Sequence, residues 1–266
     1  MSADSAYLSG RHAVVTGGGR GIGAAIASEL ARLGARLTLM GRDSAVLDRH
    51  AATLRTGGGV GADVTTVRCD VADEAAVAAA FAQARKASGD PFVLVNNAGQ
   101  AEGGLFSEIS RAVWDRLIAV NLTGAYLCIQ QVLPAMIAAR EGRVVNIAST
   151  AGLKGYARMT AYSASKHGLV GLTRALAQET AKHGVTVNAV CPGYTEDTAM
   201  VKQAVDNLVA GRGVTPEEAL KMITRINPRG SLIRPEEVAN AVGWLCSAEA
   251  AAVNGQSIAV AGGEVI

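Results

Sequence analysis

Tyr162-Ser163-Ala164-Ser165-Lys166 places a phenol and an ammonium four residues apart. On a helix those side chains stand one above the other on the same face. A phenol is too weak an acid to move protons near neutrality, but a neighbouring cation favours its phenolate form and lowers its pKa. The spacing therefore predicts a general acid/base at Tyr162, tuned by Lys166. Tyr and Lys four apart also form ordinary packing pairs, so the chemistry needs companions elsewhere in the chain.

The first companion lies near the N-terminus. Residues 11–15 read as a short buried strand running into Thr16-Gly17-Gly18-Gly19-Arg20-Gly21-Ile22-Gly23, and a helical pattern follows through Ile26, Leu30 and Leu33. Strand, glycine turn and helix in that order let backbone N–H groups approach a pyrophosphate at a positive helix end. Gly57-Gly58-Gly59 has no such setting; it lies between a helix and a strand and reads as a connector.

Short Val/Leu/Ile-rich runs alternate with longer Ala-rich helical segments, the pattern of a parallel sheet covered on both faces. The runs predict strands over 13–16, 37–40, 65–69, 93–96, 143–147, 186–190 and 257–260, and helices starting near Ile22, Ser44, Glu74, Arg111, Thr160 and Pro235. The expected fold is α/β, a doubly wound parallel-sheet Rossmann fold, in one domain over 1–266 without a repeat or linker. Right-handed crossovers bring the strands' C-terminal ends to one edge, where ligands bind.

Taken in order with Asn96-Asn97-Ala98-Gly99, Asn121, Ser149 and Pro192-Gly193, these motifs resemble the short-chain dehydrogenase/reductase family over nearly the whole chain. The segment after Gly193 and the run from Arg229-Gly230 to Arg234-Pro235-Glu236-Glu237-Val238 are most similar to bacterial 3-oxoacyl (β-ketoacyl) reductases, polyketide ketoreductases and 3-hydroxyacyl-CoA dehydrogenases. The resemblance implies an oxidoreductase moving hydride between a nicotinamide cofactor and a carbonyl or secondary alcohol. It implies four catalytic residues. Ser149 and Tyr162 hydrogen-bond the carbonyl oxygen, Lys166 steadies the ribose and the phenolate, and Asn121 holds a water that links Lys166 to solvent.

The same resemblance implies cofactor contacts at Gly17, Gly19, Arg20, Gly21, Ile22 and Gly23, at Asp70 and Val71 on the adenine side, and at Asn97, Ala98 and Gly99 beside the ribose. Tyr162 and Lys166 touch the nicotinamide ribose, and Pro192 and Gly193 pass the nicotinamide. Thr195 is expected at the carboxamide, with Thr198 as its rival because Glu196-Asp197-Thr198 fits the family pattern imperfectly. Without the resemblance, Asn121 and Asp70 read as caps and Ser149 as a strand-end turn.

Cofactor choice rests on the end of the second strand, where NAD sites commonly carry a carboxylate for the ribose 2′-hydroxyl. That position reads as Gly41. Arg42 and Arg20 supply guanidinium groups suited to a 2′-phosphate, which favours NADP(H). NAD(H) is the alternative, since a one-residue shift in the loop alignment would bring the Asp43 carboxylate toward the ribose.

The expected substrate walls are 100–106, 151–159 and the segment after Gly193. Residues 194–229, with helical patterns at 200–209 and 216–226, form a candidate substrate lid. Lys202, Arg212, Lys221, Arg225 and Arg229 in it, with Lys154 and Arg158 nearby, could steer a phosphate-bearing CoA or carrier thioester. A 3-oxoacyl/3-hydroxyacyl thioester is the expected substrate, and a cyclic or aromatic ketone or alcohol the alternative. A non-catalytic nucleotide sensor shares the fold but has no use for Asn121, Ser149, Tyr162 and Lys166 together.

With 49% hydrophobic residues, 266 residues can bury one large core. The net charge of +2 without a basic block gives nucleic acid or a membrane surface no electrostatic hold. Residues 1–10 lack a basic stretch followed by an apolar one, and no uninterrupted apolar run is long enough to span a bilayer, so a cytoplasmic protein is expected. Cys69, Cys128, Cys191 and Cys246 are scattered and read as reduced packing residues; no metal site is expected. The family resemblance implies a homotetramer built on helices over 114–138 and 160–182, with another interface near the last strand.

Overall fold

The computed structural model describes residues 6–57 and 62–265. Gly58 and Gly59 of the expected connector lie outside the described residues. Among the described residues, seven strands form one parallel sheet: β1 His12–Thr16, β2 Arg36–Gly41, β3 Val64–Arg68, β4 Val93–Asn96, β5 Gly142–Ile147, β6 Val185–Pro192 and β7 Ser257–Val260. Their order is β3-β2-β1-β4-β5-β6-β7. The chain reverses its direction of travel across the sheet between β1 and β4, so a crevice opens at the C-terminal ends of those two strands.

Strand periodicity sorts the apolar residues into two cores. Ala13, Val15, Leu37, Leu39, Val93 and Val95 point to one face, where they meet α1 (Gly21–Arg32), α2 (Ser44–Thr56) and α9 (Pro235–Leu245). Val14, Met40, Leu94 and Val144 point to the other, against α3 (Glu74–Ser88), α5 (Gly124–Ala139) and α6 (Thr160–Thr180). Each fully buried Leu, Ile or Phe contributes roughly 1.5–3 kcal/mol. β6 runs two residues past its expected end because Cys191 and Pro192 pair with Ala259 and Val260 of β7.

α4 (Arg111–Ile118) continues through a π-helical turn, Ala119–Thr123, into α5. By length and composition this continuous helix could cross a bilayer. Its apolar residues Leu117, Leu127, Ile129 and Val132 are instead buried in the cores. α7 (Ala199–Arg212) is capped by Thr198 and runs three residues further than expected, to a left-handed turn at Gly213. α8 (Pro216–Thr224) opens on a capping box of Thr215 and Glu218 and ends two residues early.

All four cysteines are buried and free. Burial pushes their thiols up, to about 11 for Cys69 and Cys191, to about 12 for Cys246, and upward for Cys128 as well. The native state keeps protons that the unfolded chain releases above the ordinary thiol pKa of 9.0, so this stabilisation is complete below pH 9.0 and fades as pH rises toward the folded values. Lys166 acts in the opposite sense between about 8 and 10.5, where folding drives its proton off. Four thiols outweigh one lysine. In reducing buffer the denaturation midpoint is expected to fall between about pH 9 and about pH 10.5; an unchanged or rising midpoint would contradict this.

Candidate active site

The strand ends open into a cavity of about 1220 Å³. Its floor is laced together by two side chains. Thr16 Oγ1 accepts from the Asn97 and Ala98 backbone N–H groups, each at 3.0 Å, while Asn97 Nδ2 donates to Thr16 O at 3.0 Å and Gly17 O at 3.2 Å. A Cβ on Gly23 would lie 2.1 Å from Gly17 O, so no side chain fits where α1 crosses the turn. α1 starts at Gly21 with no acidic residue in its first turn, leaving its positive end toward the cavity. Gly17, Gly19, Arg20, Gly21, Ile22 and Gly23 all line it.

At the far rim β2 ends in Gly41, and Arg42 follows it into the cavity wall. The Asp43 carboxylate caps α2, accepting from Val46 N at 3.2 Å. Arg68 is a residue that sequence reasoning missed. It lies opposite Gly41 in the β2–β3 register, donates from Nε to Arg42 O at 3.2 Å and lines the same rim. The only signal for it was that register, which strand patterns do not reveal. Asp70 and Val71 complete this end, with Asp70 Oδ1 accepting from Ala72 N at 3.1 Å.

Ser149, Tyr162 and Lys166 line the opposite end, all three buried. Lys166 Nζ donates to Ile147 O at 2.8 Å and stands 5.8 Å from the Tyr162 ring centre. The expected lowering of the phenol pKa is corrected here. Burial pushes Tyr162 up to about 12, against a partial downward pull from the Ser149 hydroxyl. Burial also brings Lys166 down to about 8, so the cation meant to favour phenolate is itself weakened.

Asn121 is the one expected site residue that does not line the large cavity; it sits one layer behind, in the π-helical turn. Both N–H groups of its amide are engaged, with Gln100 O at 2.9 Å and Ser165 Oγ at 3.0 Å, and its Oδ1 accepts from Gln100 N at 2.8 Å. It therefore ties the loop after β4 to α6, and its side chain has no N–H left to hold a water. Asn97, Ala98 and Gly99 of that loop line the cavity, and a Cβ on Gly99 would lie 3.2 Å from Asn121 Oδ1 and 3.6 Å from Lys166 Nζ.

Pro192 and Gly193 close the wall beside Tyr162, and both threonines that follow face the cavity. Thr195 is 3% exposed and donates to Gly193 O at 3.0 Å. Thr198 donates to Thr195 O at 2.7 Å and approaches the Gly21 turn. Leu117, Ala151, Ala161 and Tyr162 form an apolar group, with Ala101, Tyr156, Met159 and Met200 packed against it. A polar groove thus runs from the glycine turn to a phenol set in an apolar pocket.

A glycine-floored groove at the switch point of a doubly wound sheet, ending at a buried Tyr–Lys pair, defines a dinucleotide-dependent oxidoreductase. The family model described as short chain dehydrogenase matches residues 11–209. The chain belongs to that family, whose members act on carbonyl and alcohol groups. It is 45% identical to a granaticin polyketide synthase putative ketoacyl reductase from Streptomyces violaceoruber, over 94% of this chain and 92% of that one. It is 41% identical to 2-(S)-hydroxypropyl-CoM dehydrogenase 3 from Xanthobacter autotrophicus, over 94% of each chain. Among solved structures, a tryptophan variant of actinorhodin polyketide ketoreductase with NADPH superposes at a TM-score of 0.91, with 39% identity over 99% of this chain and 98% of that one.

Proposed function

We propose that the protein interconverts a 3-oxoacyl and a 3-hydroxyacyl thioester using NADP(H). The observation that carries the reading is one continuous groove joining the arginine rim at Gly41–Arg42 to Tyr162 in its apolar pocket. A nicotinamide cofactor, when bound, supplies or accepts the hydride. The backbone at Gly17–Gly23 and the positive end of α1 suit a pyrophosphate. Arg20, Arg42 and Arg68 suit a 2′-phosphate, since Gly41 offers no carboxylate and Asp43 is spent on its cap.

In reduction, Ser149 and Tyr162 hold the carbonyl oxygen, and Tyr162, protonated near neutrality, passes its proton to the forming alkoxide. Lys166 would hold the ribose hydroxyls of a bound cofactor and stabilise the phenolate left behind. Asn121 acts by position, holding the loop at 97–100 against Lys166. In oxidation the proton returns to Tyr162. Thr195 would hold the carboxamide of a bound cofactor, while Thr198 stands nearer the Gly21 turn.

Residues 194–229, with α7 and α8, serve as the lid, and Met200 carries the apolar wall down to Tyr162. Lys202, Arg212, Lys221 and Arg225 are exposed on this segment and suit the phosphates of a CoA or carrier arm. Arg229 is bound to Glu237 at 2.5 and 2.9 Å, so steering falls to the other four.

A second reading, oxidation of a small secondary alcohol or reduction of a cyclic ketone, is favoured by the compact wall of Tyr156, Met159 and Met200. NADPH and NADH oxidation with acetoacetyl-CoA, free acetoacetate and a cyclic ketone separates the two. Selective turnover of the thioester supports the first reading; turnover confined to free ketones sinks it. A sensor without turnover would be inert toward all three.

The proposed setting is cytoplasmic, consistent with four reduced thiols, and the proposed assembly is a homotetramer. Trp114 and Tyr126 are 36% and 45% exposed on the α4–α5 helix, and Trp244 is 46% exposed on α9. These aromatics support association, and β7 is an edge strand. Sedimentation should give four chains per particle; a monomeric mass would refute the assembly.

A further inference from the structure

The C-terminal tail carries a buried carboxylate that the proposed mechanism does not use. Glu264's side chain is only 2% exposed, yet it belongs to neither the groove floor nor the Tyr–Lys pair. A buried carboxylate is costly unless paired and hydrogen-bonded, and this one has partners on a single loop. Tyr156 donates its hydroxyl to Glu264 Oε1. Lys154 Nζ lies 3.6 Å from Oε1, donates to the Glu264 main-chain oxygen at 3.0 Å, and sits 5.0 Å from the Tyr156 ring centre. The other oxygen, Oε2, lies 2.9 Å from where a Cβ on Gly193 would stand, so the carboxylate backs directly onto the Pro192–Gly193 wall.

Tyr156 links this cluster to the chemistry, because it packs against the apolar group around Tyr162 while its hydroxyl is held from behind. The tail is itself anchored. Gly262, at φ +58, leaves no room for a side chain beside Asn227, and its carbonyl accepts from Arg229 N at 3.2 Å at the foot of the lid segment. One short strap therefore meets the lid foot, the Pro192–Gly193 wall and the loop between Ser149 and Tyr162.

We propose that Glu264 is a positioning residue that fixes Tyr156 and Lys154, and through them the substrate wall over Tyr162, so that it sets which carbonyl compounds bind productively. This rests on the reading of Tyr162 as the proton donor. It assigns the tail to substrate recognition and not to cofactor binding or proton transfer.

The test uses full-length Glu264→Ala, Glu264→Gln and Tyr156→Phe, with two readouts. Amide exchange followed by mass spectrometry is expected to rise about tenfold over 150–159 in Glu264→Ala, with the β5 amides unchanged. KM for the ketone that wild type turns over best, from acetoacetyl-CoA and a cyclic ketone, rises about tenfold with kcat within about threefold. Glu264→Gln keeps an acceptor for the Tyr156 hydroxyl and should restore both readouts to within about twofold of wild type. Adding Tyr156→Phe to Glu264→Ala should raise KM no further, since both changes cut the same link. Unchanged exchange over 150–159, exchange raised throughout the chain, or additive effects on KM would each overturn the proposal. Turnover retained in Tyr162→Phe would instead remove the proposed proton donor, and the exchange result would still decide whether Glu264 holds the wall.

Discussion

Replacing Tyr162 by Phe is expected to cut kcat by about 10²–10⁴-fold, the usual range for loss of a positioned acid or base. Cofactor affinity should change only a few-fold, about the worth of one hydrogen bond. The ring would stay in its apolar pocket, so folding is preserved, while the proposed proton donor to the carbonyl oxygen is lost and Ser149 keeps only its hydrogen bond. The direction of the pKa shift sharpens the expectation. With Tyr162 pushed up to about 12, the phenol is fully protonated near neutrality and ready to donate in reduction. Oxidation needs phenolate, so its rate should climb with pH well past neutrality while reduction does not. Single-turnover rates beside a fluorescence titration of NADPH separate the two effects. Turnover within tenfold of wild type would mean that another group supplies the proton.

The second large effect is expected at the cofactor rim. Removing Arg20 and Arg42 together should weaken NADPH binding by about 10²–10³-fold, since a hydrogen bond to a charged group contributes about 1.5–3 kcal/mol. The two losses will not add fully, because both side chains would serve one phosphate and Arg68 stands beside them. NADH, which lacks the 2′-phosphate, should bind within about threefold of wild type. Titrating both cofactors against the double variant checks this. Equal weakening of NADPH and NADH would show that the arginines shape the loop and do not read the phosphate, and a wild-type preference for NADH would overturn the cofactor assignment.

Much of this site is legible in the sequence because it is built from local signals. The glycine turn, Asn97 to Gly99 and Tyr162 to Lys166 each follow a strand or open a helix, and apolar runs with period 2 or 3.6 mark those elements without knowledge of their partners. Strand ends were less legible where a neighbouring strand sets them, as β7 does for Pro192. The π-helical turn that carries Asn121 has no local signature. It sits where a Cβ on Gly124 would lie 2.9 Å from Val71, a contact between elements distant in sequence. Arg68 and Glu264 escaped for the same reason, since one needs the β2–β3 register and the other a tail that meets the loop at Lys154 and Tyr156. The Tyr162 pKa went the other way because spacing reveals that a lysine is near but not that both groups are buried.

The most direct test of the central claim follows the hydride itself. Wild-type protein is given NADPH deuterated at the transferable C4 position together with the best ketone substrate, and the product alcohol is examined by mass spectrometry and NMR. Direct hydride transfer predicts one deuterium on the former carbonyl carbon. Product without deuterium on that carbon, or deuterated cofactor left unconsumed across the ketone panel, would contradict it.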